Sequence, residues 1–416
     1  MKSTFITKTY PNHQSIATGL YQPYHGITNN EFIDPLVNRT FNVDDPSNFW
    51  WDQNNVSVPI YIANQLYEPN IRFSGTVQWP GSIASYSDGH NASQRYRVHY
   101  LKDYDKLMNW LSRIDLALEW LTSSHQPANL VMVYIPEPDV TAHEYGPFSK
   151  EVKEQVISLD QAVGYFRKRL TEHNLSHLTN VIFLSDHGMS EIRDTPDRVF
   201  HLDTCENLYP GLHFQLYGIS PVFSIMPLSV PSNWSNFSAN VTIIVRDILN
   251  LCAKQQFNGK FKVYLQEEIP EEYNYSDNRR ILPLFLVADD GHDIMYRDNG
   301  RWRPKGYPVW GNHGYNNSLQ SMRPLFIAQG PRFKSGYTHA TVFNNVDLYP
   351  LWLHLLQIPT SYFTSNGSFA NVKDMLSNQL YMDRYDYLMA HATNKQLSTN
   401  SFKTIHCGYL YLYCFY

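Results

Sequence analysis

The sequence has little charge and no long apolar run. Charged residues make up 17% of its 416 positions, below the roughly 25% usual for soluble domains, and 33 basic residues face 38 acidic ones. This balance excludes a strongly basic nucleic-acid-binding protein, so we expect no binding to nucleic-acid duplexes. No stretch approaches the ~20 consecutive apolar residues that cross a bilayer. The polar start, MKSTFITKTYPNH, does not read as a secretory signal.

Cysteine is also scarce, with four residues in the chain. Four cysteines allow three disulfide connectivities. We favour a Cys205–Cys252 bridge, because the other two, Cys407 and Cys414, lie in an unusual aromatic tail. The alternative is four unpaired thiols in a cytosolic protein.

Asparagine sequons point to the secretory route. Asn-x-Ser/Thr sites are about twice as frequent as the residue frequencies would give by chance. They occur at Asn38, Asn55, Asn91, Asn174, Asn233, Asn236, Asn240, Asn274, Asn316 and Asn366.

Hydrophobic residues make up 43% of the chain, enough for a large core, and their spacing predicts an α/β fold. Short apolar runs at 130–134 and 181–184 are typical of buried parallel strands. Apolar residues recur at helical spacing over 149–173, which completes a βαβ unit, and over 104–123. In such alternately wound sheets the ligands bind at the carboxyl ends of the strands.

The character of the chain changes after about residue 200, where prolines and sequons become frequent. We predict a catalytic domain in two parts, 1–199 and 301–405, interrupted by an inserted cap, 200–300. The sequence RPLFIAQGP and the apolar stretch 346–358 predict a returning strand and helix. Residues 406–416 are read as an aromatic C-terminal tail.

Aspartate and histidine cluster where the predicted strands end. Asp139 and His143 follow the first strand, Asp186 and His187 follow the second, and His313 lies in the sequence GNHGYNN. Mixed carboxylate and imidazole ligands suit Zn²⁺. An isolated Asp-His pair is more often a hydrogen-bonded turn, but three groups at successive strand ends favour a metal centre.

Two further polar features each allow a functional and a structural interpretation. Thr9 precedes Tyr10-Pro11, where extended backbone is favoured, and its hydroxyl is a candidate nucleophile or simply a loop side chain. The acidic run 289–293 follows an apolar strand pattern and is read as a polar turn rather than a metal site.

Four sequence blocks in order resemble a known family: TKTYPNHQSIATGLYQPYHGITNN, YIPEPDVTAHEYGP, VIFLSDHGM and GNHGYNNSLQSMRPLFIAQGPRFKSG. They look like motifs of the ectonucleotide pyrophosphatase/phosphodiesterases, in the alkaline phosphatase superfamily. The similarity covers nearly the whole chain and is closest to the short, catalytic-domain-only members, which include a diadenosine triphosphate hydrolase. It implies an alkaline-phosphatase-like fold, with a mostly parallel central sheet flanked by helices and an inserted cap.

The resemblance also implies two zinc ions. It assigns one ion to Asp139, His143 and His313, and the second to Asp186, His187 and Thr9.

The same resemblance implies a reaction. Thr9 would be the nucleophile, Asn30 would donate to a phosphoryl oxygen, and Tyr134 would stack on the nucleobase, although a core position in a strand is an equally good reading of Tyr134. The expected activity is hydrolysis of phosphodiester or pyrophosphate bonds in extracellular nucleotides, through a phosphothreonine intermediate that releases a nucleoside monophosphate. The expected location is outside the cell or at its surface.

The sequence departs from the family in one major respect. Relatives carry a further zinc-binding Asp in an Asp-Gly motif after a first strand, which precedes the nucleophile, whereas Thr9 lies almost at the start here. We interpret the sequence as a truncated gene product, with a natural variant as the alternative. Loss of this strand would leave backbone groups of its neighbours unpaired, and loss of the Asp predicts weakened or absent activity.

Two milder departures lie beside His313. Asn312 and Asn316 stand where relatives usually carry Asp, which removes negative charge near a zinc ligand. We predict that the sequon at Asn316 is unused, because a glycan there would obstruct the metal centre.

Two other functions remain open on the sequence alone. A choline-phosphodiester or lipid phosphodiesterase of the same superfamily would share the metal ligands and differ in its pocket. A catalytically silent extracellular binding domain would keep the fold without turnover. The sequence does not identify a protein partner.

Overall fold

The computed structural model describes residues 1–232, 240–297 and 308–377, together with the backbone of a strand at 409–413. Its helices are α1 Thr9–Thr18, α2 Gln22–His25, α3 Asn48–Trp51, α4 Ile60–Tyr67, α5 Trp110–Leu121, α6 Asp139–Tyr145, α7 Lys150–Glu172, α8 Asp203–Leu208, α9 Val241–Gln256 and α10 Leu348–Leu355. Its strands are β1 Ile33–Asp34, β2 Arg39–Thr40, β3 Ser74–Val77, β4 Tyr100–Lys102, β5 Leu130–Val133, β6 Asn180–Leu184, β7 Ser190–Arg193, β8 Val199–His201, β9 His213–Ile219, β10 Val222–Ser229, β11 Phe261–Leu265, β12 Leu284–Ala288, β13 Asp293–Met295, β14 Val309–Asn312, β15 Phe326–Gln329 and β16 Tyr409–Tyr413.

A six-stranded sheet in the order β15-β6-β16-β5-β3-β4 forms the centre of the molecule. All its pairings are parallel except that of β15 with β6. Alternate side chains of β5 face opposite layers, as the two-residue period of a strand requires: Val131 and Val133 pack with α5 and α7, whereas Leu130 and Met132 pack with α1, α4 and α10. The mixed α/β fold with a mostly parallel sheet is confirmed.

The predicted helices are present, and their caps fix their ends. Ser149 accepts a hydrogen bond from Val152 N at the start of α7, within one residue of the predicted boundary. The predicted helix 104–123 is shorter in the structure, because the Asn109 side chain accepts from Ser112 N and starts α5 there.

The centre of the sheet is completed by a strand from the far end of the sequence. β16 pairs in parallel with both β5 and β6, with Tyr409 opposite Leu130 on one side and Asn180 on the other. The residues predicted as an aromatic tail therefore contribute a strand to the central sheet.

A second sheet in the order β11-β12-β10-β9 is entirely antiparallel and carries helix α9. A disulfide joins Cys205 of α8 to Cys252 of α9, which confirms the favoured pairing. Cys407 and Cys414 lie outside the described residues. This sheet falls within the predicted cap 200–300, whose exact boundaries stay a prediction.

The polar clusters lie at one edge of the central sheet, where the parallel strands β5 and β6 both end. Beyond β5 the chain turns through a cis Glu137–Pro138 bond into α6, and beyond β6 it reaches Asp186 directly. Within the described residues, no helix has both the length and the apolarity to cross a membrane.

Candidate metal centre

Thr9 is held at the first position of α1 by a set of buried hydrogen bonds. Asn12 Nδ2 donates to the carbonyl oxygens of Ile6 and Lys8, both at 2.9 Å, while Asn12 Oδ1 accepts from Thr4 N at 3.0 Å. His13 Nδ1 donates to Thr9 O at 2.8 Å. The segment before Thr9 is thereby fixed to the helix that follows, so its hydroxyl has a defined position.

Asp139, His143 and His313 form a group whose ligand atoms lie within 4.8 Å of one another. His143 Nε2 and His313 Nε2 are 3.0 Å apart, and each is 3.6 Å from Asp139 Oδ1. Three electron-rich atoms therefore point at one another.

Backbone carbonyls decide which imidazole nitrogens carry protons. His143 Nδ1 donates to Gly311 O and His313 Nδ1 donates to Thr7 O, both at 2.8 Å. In the neutral rings the Nε2 atoms consequently carry lone pairs. Such second hydrogen bonds are typical of metal-binding histidines.

The electrostatics of this group suit a cation. Burial lowers the pKa of His143 against the opposing effect of Asp139, and burial, with the nearby His187, lowers the pKa of His313 well below its usual value. Asp139 Oδ1 is buried with no hydrogen-bond donor among the described residues. Two lone pairs and a carboxylate oxygen repel one another unless a cation lies between them, so these residues fit a metal ion.

A second group lies beside the first. His187 Nε2 is 3.2 Å from Asp186 Oδ2 and 3.3 Å from Thr9 Oγ1. His187 Nδ1 donates to Gly188 O, which leaves Nε2 as the inward atom. Burial lowers the pKa of His187, but the carboxylate of Asp186 outweighs it and raises the pKa overall.

The two groups are adjacent. The His187 and His313 rings stack with centroids 3.5 Å apart and planes inclined by 10°. Close approach of the supporting elements depends on Gly311, because a Cβ there would collide with Ala142 O in α6. The structure therefore brings together all six predicted ligands at one edge of the sheet.

Asn30 reaches the same place from the loop that precedes β1. Its Oδ1 accepts from Tyr10 N at 2.9 Å, at the N-terminus of α1. Because Asn30 Oδ1 already accepts this hydrogen bond, the Nδ2 group of Asn30 is the part of the side chain that can donate to a ligand beside Thr9.

Tyr134 follows β5 and is almost fully buried. Its ring lies 4.9 Å from that of His13, edge to face, and its carbonyl accepts from Arg113 Nη1 at 2.7 Å. The position belongs to the core and also borders the site, so its contact with a nucleobase stays a prediction.

Two buried charges at the site were missed by the sequence analysis. Lys8 Nζ lies 2.8 Å from Ser220 O, and burial lowers the Lys8 pKa to about 7. Asp293, in the run interpreted as a polar turn, is buried in β13 and accepts from Trp310 Nε1 at 3.1 Å, whereas Asp289 is exposed. The turn interpretation is wrong for Asp293, and no periodicity in the sequence distinguishes it from its exposed neighbours.

The two asparagines that flank His313 differ in surroundings. Asn312 is buried and donates from Nδ2 to Asp293 Oδ1 at 3.1 Å. Asn316 is half-buried, and its Oδ1 accepts from Ser318 N at 2.8 Å. Whether its sequon is used stays a prediction.

Comparison with known proteins places these residues in a family. Residues 1–316 match the model of the type I phosphodiesterase / nucleotide pyrophosphatase family. The chain is 35% identical over 381 residues to bis(5'-adenosyl)-triphosphatase ENPP4 of Homo sapiens, covering 91% of this chain and 75% of that protein. It is 33% identical over 382 residues to ectonucleotide pyrophosphatase/phosphodiesterase family member 5 of Homo sapiens, covering 91% and 71%.

Solved structures agree with this assignment. Murine ectonucleotide pyrophosphatase/phosphodiesterase 5 superposes with a TM-score of 0.75 at 33% identity, covering 91% of this chain and 90% of that one. An inactive variant of the murine protein, with one threonine replaced by alanine and in complex with AMP, superposes with a TM-score of 0.74 over the same shares. This chain therefore belongs to the type I phosphodiesterase / nucleotide pyrophosphatase family of hydrolases.

Proposed function

We propose that this chain hydrolyses phosphodiester and pyrophosphate bonds of extracellular nucleotides, such as dinucleoside polyphosphates, with zinc as cofactor and a phosphothreonine intermediate. The substrate class is supported by the name of a relative, a bis(5'-adenosyl)-triphosphatase, and by the AMP complex of a similar structure. One observation carries the proposal. His143 Nε2, His313 Nε2 and Asp139 Oδ1 converge beside the group that Asp186, His187 and the Thr9 hydroxyl form.

Two zinc ions are part of this proposal. Asp139, His143 and His313 would hold one, and Asp186, His187 and Thr9 would hold the other. When bound, Zn²⁺ supplies Lewis-acid chemistry that lowers the pKa of a hydroxyl or water and neutralises charge on phosphoryl oxygens.

The residues of the chain would then perform two displacements at phosphorus. Thr9 Oγ1 loses its proton to water and forms a new P–O bond, while the P–O bond to the leaving group, a nucleoside diphosphate when the substrate is a dinucleoside triphosphate, breaks and its electron pair departs with that group. Asn30 Nδ2, whose partner oxygen is already fixed by Tyr10 N, donates to a phosphoryl oxygen as charge develops there. Water then displaces Thr9 Oγ1 and releases the nucleoside monophosphate.

Tyr134 is retained in the proposal as a nucleobase contact. It follows β5 at the edge that also carries Asp139, and tyrosine rings stack readily on bases.

An extracellular or cell-surface location is the accompanying proposal. The Cys205–Cys252 disulfide is typical of oxidising compartments. Several sequon asparagines are exposed, as a glycan requires: Asn38, Asn91, Asn174, Asn240, Asn274 and Asn366.

The test is hydrolysis of diadenosine triphosphate by the full chain supplied with Zn²⁺, with AMP measured as product. Thr9→Ala is expected to abolish turnover and leave the fold intact. Thr18→Ala is the matched control, because it removes a buried threonine hydroxyl from the other end of the same helix, where Oγ1 donates to Gln14 O and accepts from Leu20 N. Equal turnover by the wild type and Thr9→Ala would overturn the proposal.

Two outcomes of this assay would point to the other readings. Thr9-dependent hydrolysis of a choline phosphodiester, without hydrolysis of the dinucleotide, would assign the same centre to a different substrate class. Stoichiometric zinc without any Thr9-dependent hydrolysis would favour a silent binding domain.

A further inference from the structure

Lys8 is a fully buried lysine directly before Thr9, and its Nζ is hydrogen-bonded to two uncharged oxygen atoms. Its Nζ donates to Ser220 O at 2.8 Å and to Asn312 Oδ1 at 3.4 Å. A methionine of similar length would fill the same space without the desolvation cost of an ammonium group. The two hydrogen bonds therefore call for an explanation beyond packing.

These contacts belong to a closed ring of four residues, the Lys8 network, made of Lys8, Ser220, Asp293 and Asn312, in which Ser220 takes part through both its carbonyl oxygen and its hydroxyl. Asn312 Nδ2 donates to Asp293 Oδ1 at 3.1 Å, and Ser220 Oγ donates to the same oxygen through a short hydrogen bond. The network joins four segments that are distant in sequence: the start of α1, the β9–β10 turn, β13 and the end of β14.

The network touches the backbone of His313 on both sides. On one side, Asn312 Oδ1 accepts from His313 N at 2.8 Å as well as from Lys8 Nζ. On the other side, Gly314 has φ +126°, and a Cβ built there would lie 2.7 Å from Lys8 Cε. The chain thus leaves space for the lysine stem immediately after the histidine.

The residues of the network also connect His313 to the nucleophile. Lys8 precedes Thr9, and the neighbouring Thr7 accepts from His313 Nδ1 through its carbonyl oxygen at 2.8 Å. Segment 7–9 therefore orients the His313 ring through the Thr7 carbonyl oxygen, and it positions the His313 backbone through the contact of Lys8 with Asn312.

We propose that Lys8 is a positioning residue that holds His313 Nε2 against Asp139 and His143 through Asn312 and Gly314. The inference rests on the proposed function in one respect, that the ion bound by this group is zinc. Lys8 acts through its neighbours and is not assigned any contact with substrate.

A positioning role and a purely electrostatic role predict opposite effects of Lys8 removal on the metal affinity. An ammonium group near a cation site repels the cation, so loss of its charge alone would tighten metal binding. Loss of a residue that orients a metal ligand through its neighbours typically weakens metal affinity about 10–100-fold. The direction of the change in affinity therefore separates the two roles.

The experiment measures Zn²⁺ affinity of the full chain by competition with a fluorescent chelator. Lys8→Met is expected to weaken Zn²⁺ binding about 10–100-fold. Lys2→Met is the matched control, because it removes the same charge from a half-buried lysine in the same segment and is expected to leave the affinity unchanged. The thermal midpoint of each metal-free variant is recorded alongside.

A second variant keeps the test decisive if Lys8→Met does not fold. Asn312→Leu keeps the side-chain size and removes the amide that links Lys8 to His313, so the same weakening is expected. Unchanged or tighter binding by folded Lys8→Met or Asn312→Leu would overturn the inference. Failure of the wild type to bind Zn²⁺ would instead overturn the metal assignment in the proposed function.

Discussion

Replacing Asp34 with asparagine is expected to destabilise the protein strongly. The Asp34 carboxylate is fully buried and accepts from Arg280 Nε at 2.8 Å and from Arg279 Nη2 at 2.7 Å. Arg280 is also fully buried, and its remaining N–H groups donate to the carbonyl oxygens of Gly26, Trp50 and Phe49. Asparagine would keep the shape of residue 34 and remove the negative charge that pairs with the Arg280 guanidinium.

The expected loss follows from the burial of both partners. Removing one member of a buried pair leaves an uncompensated charge, at a cost of about 3–5 kcal/mol. The contacts of Arg280 with carbonyl oxygens are retained in the variant, so we expect the lower end of that range, about 3 kcal/mol. Burial itself raises the pKa of Asp34, but the hydrogen bonds from the two arginines outweigh it and lower the pKa below its usual value.

The assay is urea denaturation of Asp34→Asn, with the free energy of unfolding compared with that of the wild type. Glu268→Gln is the control, because Glu268 pairs with Arg246 at the surface, where such pairs contribute about 0–1 kcal/mol. If Asp34→Asn lost no more stability than Glu268→Gln, the reasoning from burial would be refuted.

Three more perturbations have defined outcomes. His25 is buried, and burial lowers its pKa to about 3, so the unfolded chain binds a proton that the folded chain does not. The free energy of unfolding should therefore fall by up to about 1.4 kcal/mol per pH unit as the pH is lowered from ~6.5 to ~3. Urea titrations at several pH values should lose this slope in His25→Gln, and parallel curves for the variant and the wild type would contradict the prediction. Reduction of the Cys205–Cys252 disulfide, which closes a loop of 47 residues, should cost about 4 kcal/mol in the chain-entropy model; an unchanged denaturation midpoint after reduction would count against it. Gly188→Ala would place a Cβ against Ser321 O and should lower both the thermal midpoint and the Zn²⁺ affinity. If neither quantity changed, the loop would have moved to make room for the Cβ, and the prediction would be wrong.

Much of the central sheet could be predicted because its signals are local. β5 and β6 are short apolar runs bounded by polar residues, and α7 has a clear helical period with a serine cap. The boundary of α5 was less certain, because the apolar spacing continues before the asparagine that caps the helix.

β16 could not be predicted by the same reasoning. The alternation of tyrosine and leucine over 409–413 suits a strand, but its place depends on two partners far away in the sequence. A pattern identifies a strand, whereas only tertiary pairing identifies its neighbours.

The residues of the candidate metal centre also differ in how far the sequence predicts them. Asp139, Asp186 and His187 are recognisable because they follow strands whose ends meet at one edge. Lys8 and Asp293 were missed because burial of a single charge depends on partners from other segments, and sequence spacing does not record those partners.

The location of β16 has a consequence for how the molecule is made. β5 and β6 are synthesised long before residue 409, and in the sheet they are joined by β16, which pairs with both of them. On the ribosome, β5 and β6 emerge well before the strand that joins them. Pairings so distant in sequence form slowly, so the insertion of β16 between β5 and β6 is expected to be a late step in the assembly of the central sheet.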